Sequence, residues 1–213
     1  MERALIIGCG YVGAALAPRL RDAGVEVSGT SASGGPGLLR LDLTAPDSGP
    51  ELAAEGAVVY YMVSTLARRY DAEARPHLRP LERCLAALER QAPAGLVYLS
   101  STSVYGDQGG AWIDEQTPTA PQTPWGRMRV ELEQRFWDFG AARGLPACVV
   151  RLPEIYGPGR GLFVENQWIV TWGPGRLGHK SWQLKPGKKT GPSLHCSSLT
   201  NLLLGYLLSY NEK

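Results

Sequence analysis

The sequence predicts a doubly wound α/β fold, in which helices cover both faces of a parallel sheet. Short apolar runs typical of buried strands alternate with helical patterns over about the first 150 of the 213 residues. A glycine-rich turn directly follows the first of these runs. The composition, 44% hydrophobic and 20% charged, is that of a globular protein and excludes wholesale disorder.

The first elements each have a local signal. Residues 4–7 form a continuous apolar run, which is typical of a strand buried on both faces of a sheet. The following stretch has an apolar residue at every third or fourth position and ends at Gly24, so a helix is predicted there. Pro18 lies inside it and is expected to kink or weaken one turn. Apolar runs between turn-forming residues then predict strands at residues 25–29, 38–43 and 57–63.

The alternation continues in the middle of the chain. Leucines at helical spacing predict a helix over residues 71–91, regular only from about Pro80 because proline is tolerated only in the first helical turn. A fifth strand is predicted at residues 96–100. An amphipathic pattern predicts a helix over residues 126–143, ended by Gly144. A sixth strand at 147–152 completes the pattern, and a last helix is expected at about residues 198–210.

Composition and spacing exclude several function classes. A net charge of +2 is too small to indicate nucleic acid binding. No apolar stretch reaches the ~18 residues of a membrane span, and the N-terminus lacks the pattern of a cleaved leader. The four cysteines and three histidines show no metal-ligand spacing. We therefore expect a cytoplasmic protein with a small-molecule substrate and no metal.

The turn after the first strand has the spacing G-x-G-x-x-G over residues 8–13. In this context Gly8 allows the tight turn, Gly10 lets the backbone approach a pyrophosphate, and Gly13 lets the helix pack against the strand. The helix N-terminus adds positive potential for phosphate. The alternative is a glycine-rich turn without a ligand. The cofactor-binding residues predicted from this turn are Gly8, Gly10, Tyr11, Val12 and Gly13.

The end of the second strand bears on the identity of the dinucleotide. An acidic residue there would bind the adenosine 2′-hydroxyl of NAD, but the sequence reads SGTSAS. Thr30 and Ser31 can hydrogen-bond a 2′-phosphate and no carboxylate repels it, so NADP is favoured while NAD stays open. No arginine follows directly, and Arg40 is expected to contribute only by folding back. Asp42 and Leu43, after the third strand, hold the usual position of an adenine contact in this fold.

Five segments together resemble the extended short-chain dehydrogenase/reductase family, which contains nucleotide-sugar epimerases and dehydratases. They are residues 8–13 (GCGYVG), 99–107 (LSSTSVYGD), 121–129 (PQTPWGRMR), 151–160 (RLPEIYGPGR) and, more weakly, 194–199 (LHCSSL). Residues 106–118 resemble the atypical members described as the NAD-dependent epimerase/dehydratase family. The resemblance covers about residues 1–160. It implies a Rossmann domain, a nicotinamide cofactor and a cofactor contact at Pro153.

The resemblance also implies where the chemistry lies. In that family a Ser or Thr after the fifth strand acts with a Tyr and a Lys spaced YxxxK on the next helix. Ser101 matches the first position and would polarise a substrate oxygen, but the Tyr and Lys positions carry Trp125 and Arg129. An indole does not titrate usefully and a guanidinium is not a proton donor at neutral pH. We expect Trp125 and Arg129 to position cofactor and substrate instead.

Other groups are candidates for the missing acid or base, although each has a simpler explanation as a turn or solvated residue. They are Tyr105, Asp107, Asp114, Glu115 and Glu154.

Residues 161–192 do not match the family pattern. They interleave lysines with tryptophans, which suits either an anionic substrate or a loop that covers the sheet edge. We predict an NAD(P)-binding domain over residues 1–156 and a reduced substrate lobe over residues 157–213.

Three functions remain open at this point. The first is an oxidoreductase or epimerase-type enzyme that uses NADP(H) on a small hydroxy, carbonyl or nucleotide-linked substrate. The second is a cofactor-binding pseudoenzyme or sensor, and the third is a non-redox isomerase or lyase in the same pocket. The resemblance also makes a homodimer conceivable, through the helices over residues 71–91 and 126–143.

Overall fold

A computed structural model gives the fold as one parallel sheet with helices on both faces. It describes residues 2–45, 52–64, 71, 74–111, 113–114, 116–152, 155, 163–164 and 167–168. The sheet strands are β1 (Arg3–Ile7), β2 (Glu26–Ser31), β3 (Leu39–Arg40), β4 (Ala57–Tyr61), β5 (Gly95–Ser101) and β6 (Ala147–Leu152). Their order, β3-β2-β1-β4-β5-β6, is that of a doubly wound dinucleotide-binding sheet, so the predicted fold class is confirmed.

Three helices accompany the sheet in the part of the chain that the structure describes. They are α1 (Tyr11–Asp22), α2 (Arg79–Leu88) and α3 (Pro124–Arg143), and a short 3₁₀ turn spans Thr102–Val104. Two further strands, β7 (Phe163–Val164) and β8 (Gln167–Trp168), form an antiparallel pair. None of the helices in the described ranges is long and apolar enough to cross a membrane.

The core lies on both faces of the sheet because side chains along each central strand alternate. In β1, Leu5 and Ile7 belong to a cluster shared with α2 and α3. Ala4 and Ile6 belong to the opposite cluster, which contains the buried face of α1. Because the side chains of β1 are buried on both faces of the sheet, its sequence is continuously apolar and does not alternate with polar residues.

Most predicted elements are confirmed, and the differences lie at their ends. The third strand, predicted at residues 38–43, is only two residues long, while β2 extends to Ser31. The helix α1 runs as one element through Pro18. The regular part of α2 begins at Arg79, next to Pro80, as predicted. Residues 198–210 and most of the predicted substrate lobe lie outside the described residues.

The third helix begins two residues earlier than predicted. Thr123 caps it, since its hydroxyl oxygen accepts a hydrogen bond from the Gly126 amide at 3.1 Å. Gly144 ends the helix with φ of 62°, a left-handed conformation that favours glycine.

Candidate functional site

The glycine-rich turn lies at the carboxyl ends of the central strands β1 and β4. Gly8 has φ of +84°, and a Cβ there would lie 3.0 Å from the backbone nitrogen of Val63, which follows β4. A side chain at this position would therefore be strained and would also collide with the neighbouring strand end. The geometry accounts for Gly8 as the residue of the tight turn.

The other two glycines differ in what surrounds them. A Cβ at Gly13 would lie 3.0 Å from Cγ2 of Ile6 and 3.2 Å from Sγ of Cys9, so this glycine lets α1 approach β1 closely. A Cβ at Gly10 would meet no atom within 4 Å. Gly10 is the N-cap of α1, where amide groups and the helix dipole favour an anion. Packing in the described part of the chain therefore does not require a glycine at position 10, and the contact of Gly10 with a pyrophosphate stays a prediction.

Thr30 of β2 supports the glycine-rich turn. It is only 2% exposed. Its carbonyl accepts a hydrogen bond from the Cys9 amide at 2.7 Å, and its hydroxyl oxygen accepts one from the Gly8 amide at 3.3 Å. We therefore assign Thr30 to the support of the turn, and Ser31 remains the predicted contact of a 2′-phosphate.

The sheet itself brings Arg40 to the end of β2. In the parallel register Ser31 is the partner of Arg40, and the Leu41 amide donates to the Ser31 carbonyl at 2.8 Å. The Ser31 hydroxyl donates to the Gly34 carbonyl at 2.8 Å, which closes the connecting turn. The chain folds back through a compact turn after β2, which is the way in which Arg40 was expected to reach this region.

Asp42 and Leu43 have different environments in the loop after β3. The Asp42 carboxylate accepts hydrogen bonds from the Thr44 hydroxyl at 2.6 Å and the Thr44 amide at 2.9 Å, and these bonds lower the pKa of Asp42. Leu43 is buried in the core cluster beside α2. Arg83 of α2 donates to the carbonyls of Leu43 and Ala45, a contact that the sequence analysis missed.

Ser101 is the last residue of β5. Its oxygen accepts a hydrogen bond from the Ser103 amide at 3.2 Å and so caps the 3₁₀ turn. Because the oxygen acts as acceptor in this bond, the hydroxyl proton remains to be donated to another acceptor. This arrangement suits the predicted role of Ser101, which is to polarise a substrate oxygen.

The first turn of α3 packs backbone to backbone against the turn that follows Ser101. A Cβ at Gly126 would lie 2.6 Å from the Ser103 carbonyl oxygen. The contact brings the helix segment that carries Trp125 and Arg129 next to the end of β5. Trp125 is 47% exposed. An exposed indole at this place can line a ligand pocket, but it offers no group for proton transfer.

Arg129 faces the sheet at Tyr98. Burial raises the pKa of Tyr98 to about 12, and the positive charge of the Arg129 guanidinium offsets only part of this effect. Tyr98 therefore stays protonated at neutral pH and cannot replace the missing tyrosine base.

A buried ion pair joins the elements around this site. Glu133 of α3 accepts hydrogen bonds from the Ser100 hydroxyl at 2.5 Å and from the Arg151 guanidinium at 2.8 Å. Arg151, on β6, also donates to the Tyr105 hydroxyl at 2.9 Å. Glu133 was not predicted as a site residue, although its position four residues after Arg129 places it on the buried face of α3.

The proposed replacement acids and bases that the structure describes have other roles. The Tyr105 hydroxyl donates to the Asp114 carbonyl at 3.1 Å. The Asp107 carboxylate accepts from the Gly109 amide, and the Asp114 carboxylate accepts from the Gln116 and Thr117 amides. These bonds stabilise turns. Pro153, Glu115 and Glu154 lie outside the described residues.

Known proteins resemble this chain over the same elements. The model of the NAD dependent epimerase/dehydratase family matches residues 4–169. Protein YeeZ of Escherichia coli (strain K12) is 30% identical over 172 residues, covering 75% of this chain and 61% of YeeZ. A functionally unknown conserved protein from Silicibacter pomeroyi has 34% identity and a TM-score of 0.56, covering 76% of this chain and 57% of that chain.

A more distant structure has the same fold. UDP-glucuronic acid 4-epimerase from Bacillus cereus, solved in complex with NAD, has 19% identity and a TM-score of 0.60. The match covers 73% of this chain and 58% of that chain, and at this identity it shows the fold alone. The chain thus spans less than two thirds of the length of each of these three proteins.

Proposed function

Because the chain belongs to the NAD-dependent epimerase/dehydratase family, we propose that it binds a nicotinamide dinucleotide, with NADP(H) preferred to NAD(H). The observation that carries the proposal is the open space at Gly10, on the N-terminus of α1. The backbone there would hold the pyrophosphate, and Gly8 and Gly13 would keep the turn and the helix in place. When bound, the nicotinamide ring supplies a hydride acceptor or donor.

The preference for NADP(H) is supported by the charges at the end of β2. This strand ends without a carboxylate that would repel a 2′-phosphate, and its partner residue in β3 is Arg40. Arg40 is exposed beside Ser31, so its guanidinium would be available to a phosphate.

Replacing Arg40 with Met should weaken NADPH binding by about 10- to 100-fold, because a charge-assisted hydrogen bond to phosphate is lost. NADH binding should stay within about twofold, since NADH lacks the 2′-phosphate. Fluorescence titration with both dinucleotides measures the effect. Arg90→Met, at an exposed position after α2, is the control. Equal weakening of NADPH and NADH binding would refute the proposed role of Arg40.

The reaction that we propose takes place at a hydroxyl or carbonyl group of a small or nucleotide-linked substrate. Ser101 would donate its hydroxyl proton to the substrate oxygen, as its acceptor role toward Ser103 allows. Trp125 would border the substrate, and Arg129 would hold a fixed positive charge beneath it. UDP-glucose 4-epimerase of Azospirillum brasilense, which is 34% identical over 73 residues covering 34% of this chain and 21% of that protein, supports a sugar nucleotide as the substrate class.

A second candidate function is cofactor binding without turnover. The observation that favours it is the state of the two described tyrosines near the site. The Tyr105 hydroxyl accepts a hydrogen bond from Arg151 and donates one to the Asp114 carbonyl. Burial raises the pKa of Tyr98 to about 12. Tyr98 therefore cannot supply a tyrosinate at neutral pH, and the Tyr105 hydroxyl is already engaged in hydrogen bonds within the fold.

The two functions are separated by restoring the missing dyad. If cofactor binding without turnover is the function, the double variant Trp125→Tyr and Arg129→Lys should gain NADPH-dependent reduction of model carbonyl compounds by about 100-fold or more, because general acid catalysis contributes about that factor. Oxidation of NADPH is followed by absorbance. The matched control, Trp137→Tyr with Arg135→Lys, alters the same residue types farther along α3. Loss of an activity that the wild-type protein already has would instead show that Trp125 and Arg129 take part in it.

A further inference from the structure

One side chain of α2 holds the segment 41–45, which we call the β3 loop. Nη1 of Arg83 donates a hydrogen bond to the Leu43 carbonyl oxygen at 2.8 Å and another to the Ala45 carbonyl oxygen at 2.6 Å. Both distances are short, as expected for hydrogen bonds from a charged donor. Two carbonyl groups of one loop are therefore fixed by a single nitrogen of a neighbouring helix.

The β3 loop needs this support because β3 is very short. The strand pairs with β2 at two positions, and the Leu41 amide makes the following bond to the Ser31 carbonyl. Beyond Leu41 the chain leaves the sheet. Leu43 is then buried in the core cluster that includes Leu81 and Leu85 of α2, and Arg83 lies between these two leucines in the sequence. The loop is thus attached to α2 in two ways. The Leu43 side chain shares a core cluster with leucines of α2, and Arg83 of α2 donates hydrogen bonds to the loop backbone.

The side chain that this arrangement holds in place is Asp42. Its carboxylate accepts two hydrogen bonds from Thr44, and these bonds fix the Asp42 side chain relative to the loop backbone. Asp42 lies two residues after Arg40, the residue paired with Ser31. The β3 loop therefore borders the part of the proposed dinucleotide site that would receive the adenosine half.

From this geometry we infer that Arg83 is a positioning residue for the adenosine half of the dinucleotide, and this inference rests on the proposed function. Arg83 acts through the backbone of residues 43–45, which fixes Asp42. It does not touch the dinucleotide. A residue that acts in this way should affect NADPH and NADH alike, because the two share the adenine and ribose. A residue that contacts the 2′-phosphate should affect NADPH alone.

The test compares Arg83→Met with Arg79→Met, an exposed arginine one turn earlier on the same helix. Arg83→Met should weaken the binding of both NADPH and NADH by about tenfold, because two charge-assisted hydrogen bonds to the loop are lost. Arg83→Lys should have a smaller effect, since an ammonium group can keep one of them. Hydrogen exchange of the Thr44 and Ala45 amides should become faster in Arg83→Met and stay unchanged in Arg79→Met.

Each alternative result has a definite meaning. Unchanged affinity in Arg83→Met, with normal binding by the wild-type protein, overturns the inference and leaves the proposed function standing. If Arg83→Met weakens the binding of NADPH alone, the inference is also overturned, because this result shows a direct contact of Arg83 with the 2′-phosphate. If the wild-type protein binds neither dinucleotide, the proposed function fails and the inference fails with it. Should Arg83→Met not fold, the same comparison of NADPH with NADH is made on Arg83→Lys.

Discussion

Replacing Arg151 with Met should lower the free energy of unfolding by about 3–5 kcal/mol, because it leaves an uncompensated charge in the interior. The side chain of Glu133 is 4% exposed and that of Arg151 is 22% exposed. Among the described residues, removal of the guanidinium leaves the Ser100 hydroxyl as the hydrogen-bond donor to the Glu133 carboxylate. The Tyr105 hydroxyl also loses the hydrogen bond from Arg151. The measurement is urea denaturation followed by circular dichroism.

The control for this prediction is an ion pair of the same length on the surface. Arg135 and Glu82 approach to 2.8 Å, but their side chains are 54% and 42% exposed. Arg135→Met should therefore cost only about 0.2–1 kcal/mol, the range of exposed pairs. Similar losses in the two variants would contradict the account of the Glu133–Arg151 pair as a buried connection between β6 and α3.

Replacing Gly10 with Val should weaken NADPH binding by at least about 100-fold, because branched carbons would occupy the place proposed for the pyrophosphate. The fold should change little. Gly10 has a negative φ of −85°, and no atom of the described residues lies within 4 Å of its Cβ position. The loss of a small residue at the N-cap should cost less than about 1 kcal/mol. Binding is measured by calorimetric titration and stability by thermal denaturation.

Gly8→Ala provides the contrast. It should lower both stability and binding, because Gly8 combines φ of +84° with a close approach to Val63. A Gly10→Val variant that binds NADPH as well as the wild-type protein would contradict the assignment of the open space at Gly10 to a ligand. Parallel losses of stability in the two variants would show that Gly10 serves the fold instead.

The features that could be predicted from the sequence depend on local signals. The spacing of Gly8, Gly10 and Gly13 predicts three separate roles. The geometry agrees with the tight turn at Gly8 and the close helix approach at Gly13, because both arise within one strand, one turn and one helix, and the role of Gly10 stays a prediction. The same holds for Gly144, whose left-handed conformation ends α3 where the apolar pattern stops.

The features that could not be predicted depend on register and on contacts between distant segments. Arg40 reaches Ser31 because the turn between β2 and β3 is compact, and the glycines in it allow backbone conformations that leave no clear sequence pattern. Arg83 contacts carbonyls about 40 residues earlier in the chain. Such backbone acceptors are present at every residue, so the sequence does not indicate which of them a side chain will find.

Locating the site at α3 requires both the family resemblance and the contacts of the folded chain. The positions of Ser101, Trp125 and Arg129 followed from a family resemblance, whereas their proximity follows from the backbone contact of Gly126 with Ser103. Glu133 and Arg151 are ordinary charged residues in the sequence, and only the fold shows that they pair in the interior.

The central claim, a dinucleotide site that prefers NADP(H), is tested most directly by calorimetric titration of the wild-type protein with NADPH and with NADH. The account predicts saturable binding of NADPH at one site per chain, with NADH bound about tenfold or more weakly because it lacks the phosphate that Arg40 would meet. Equal affinity for both dinucleotides would remove the proposed role of Arg40. Saturable binding of neither would contradict the claim as a whole.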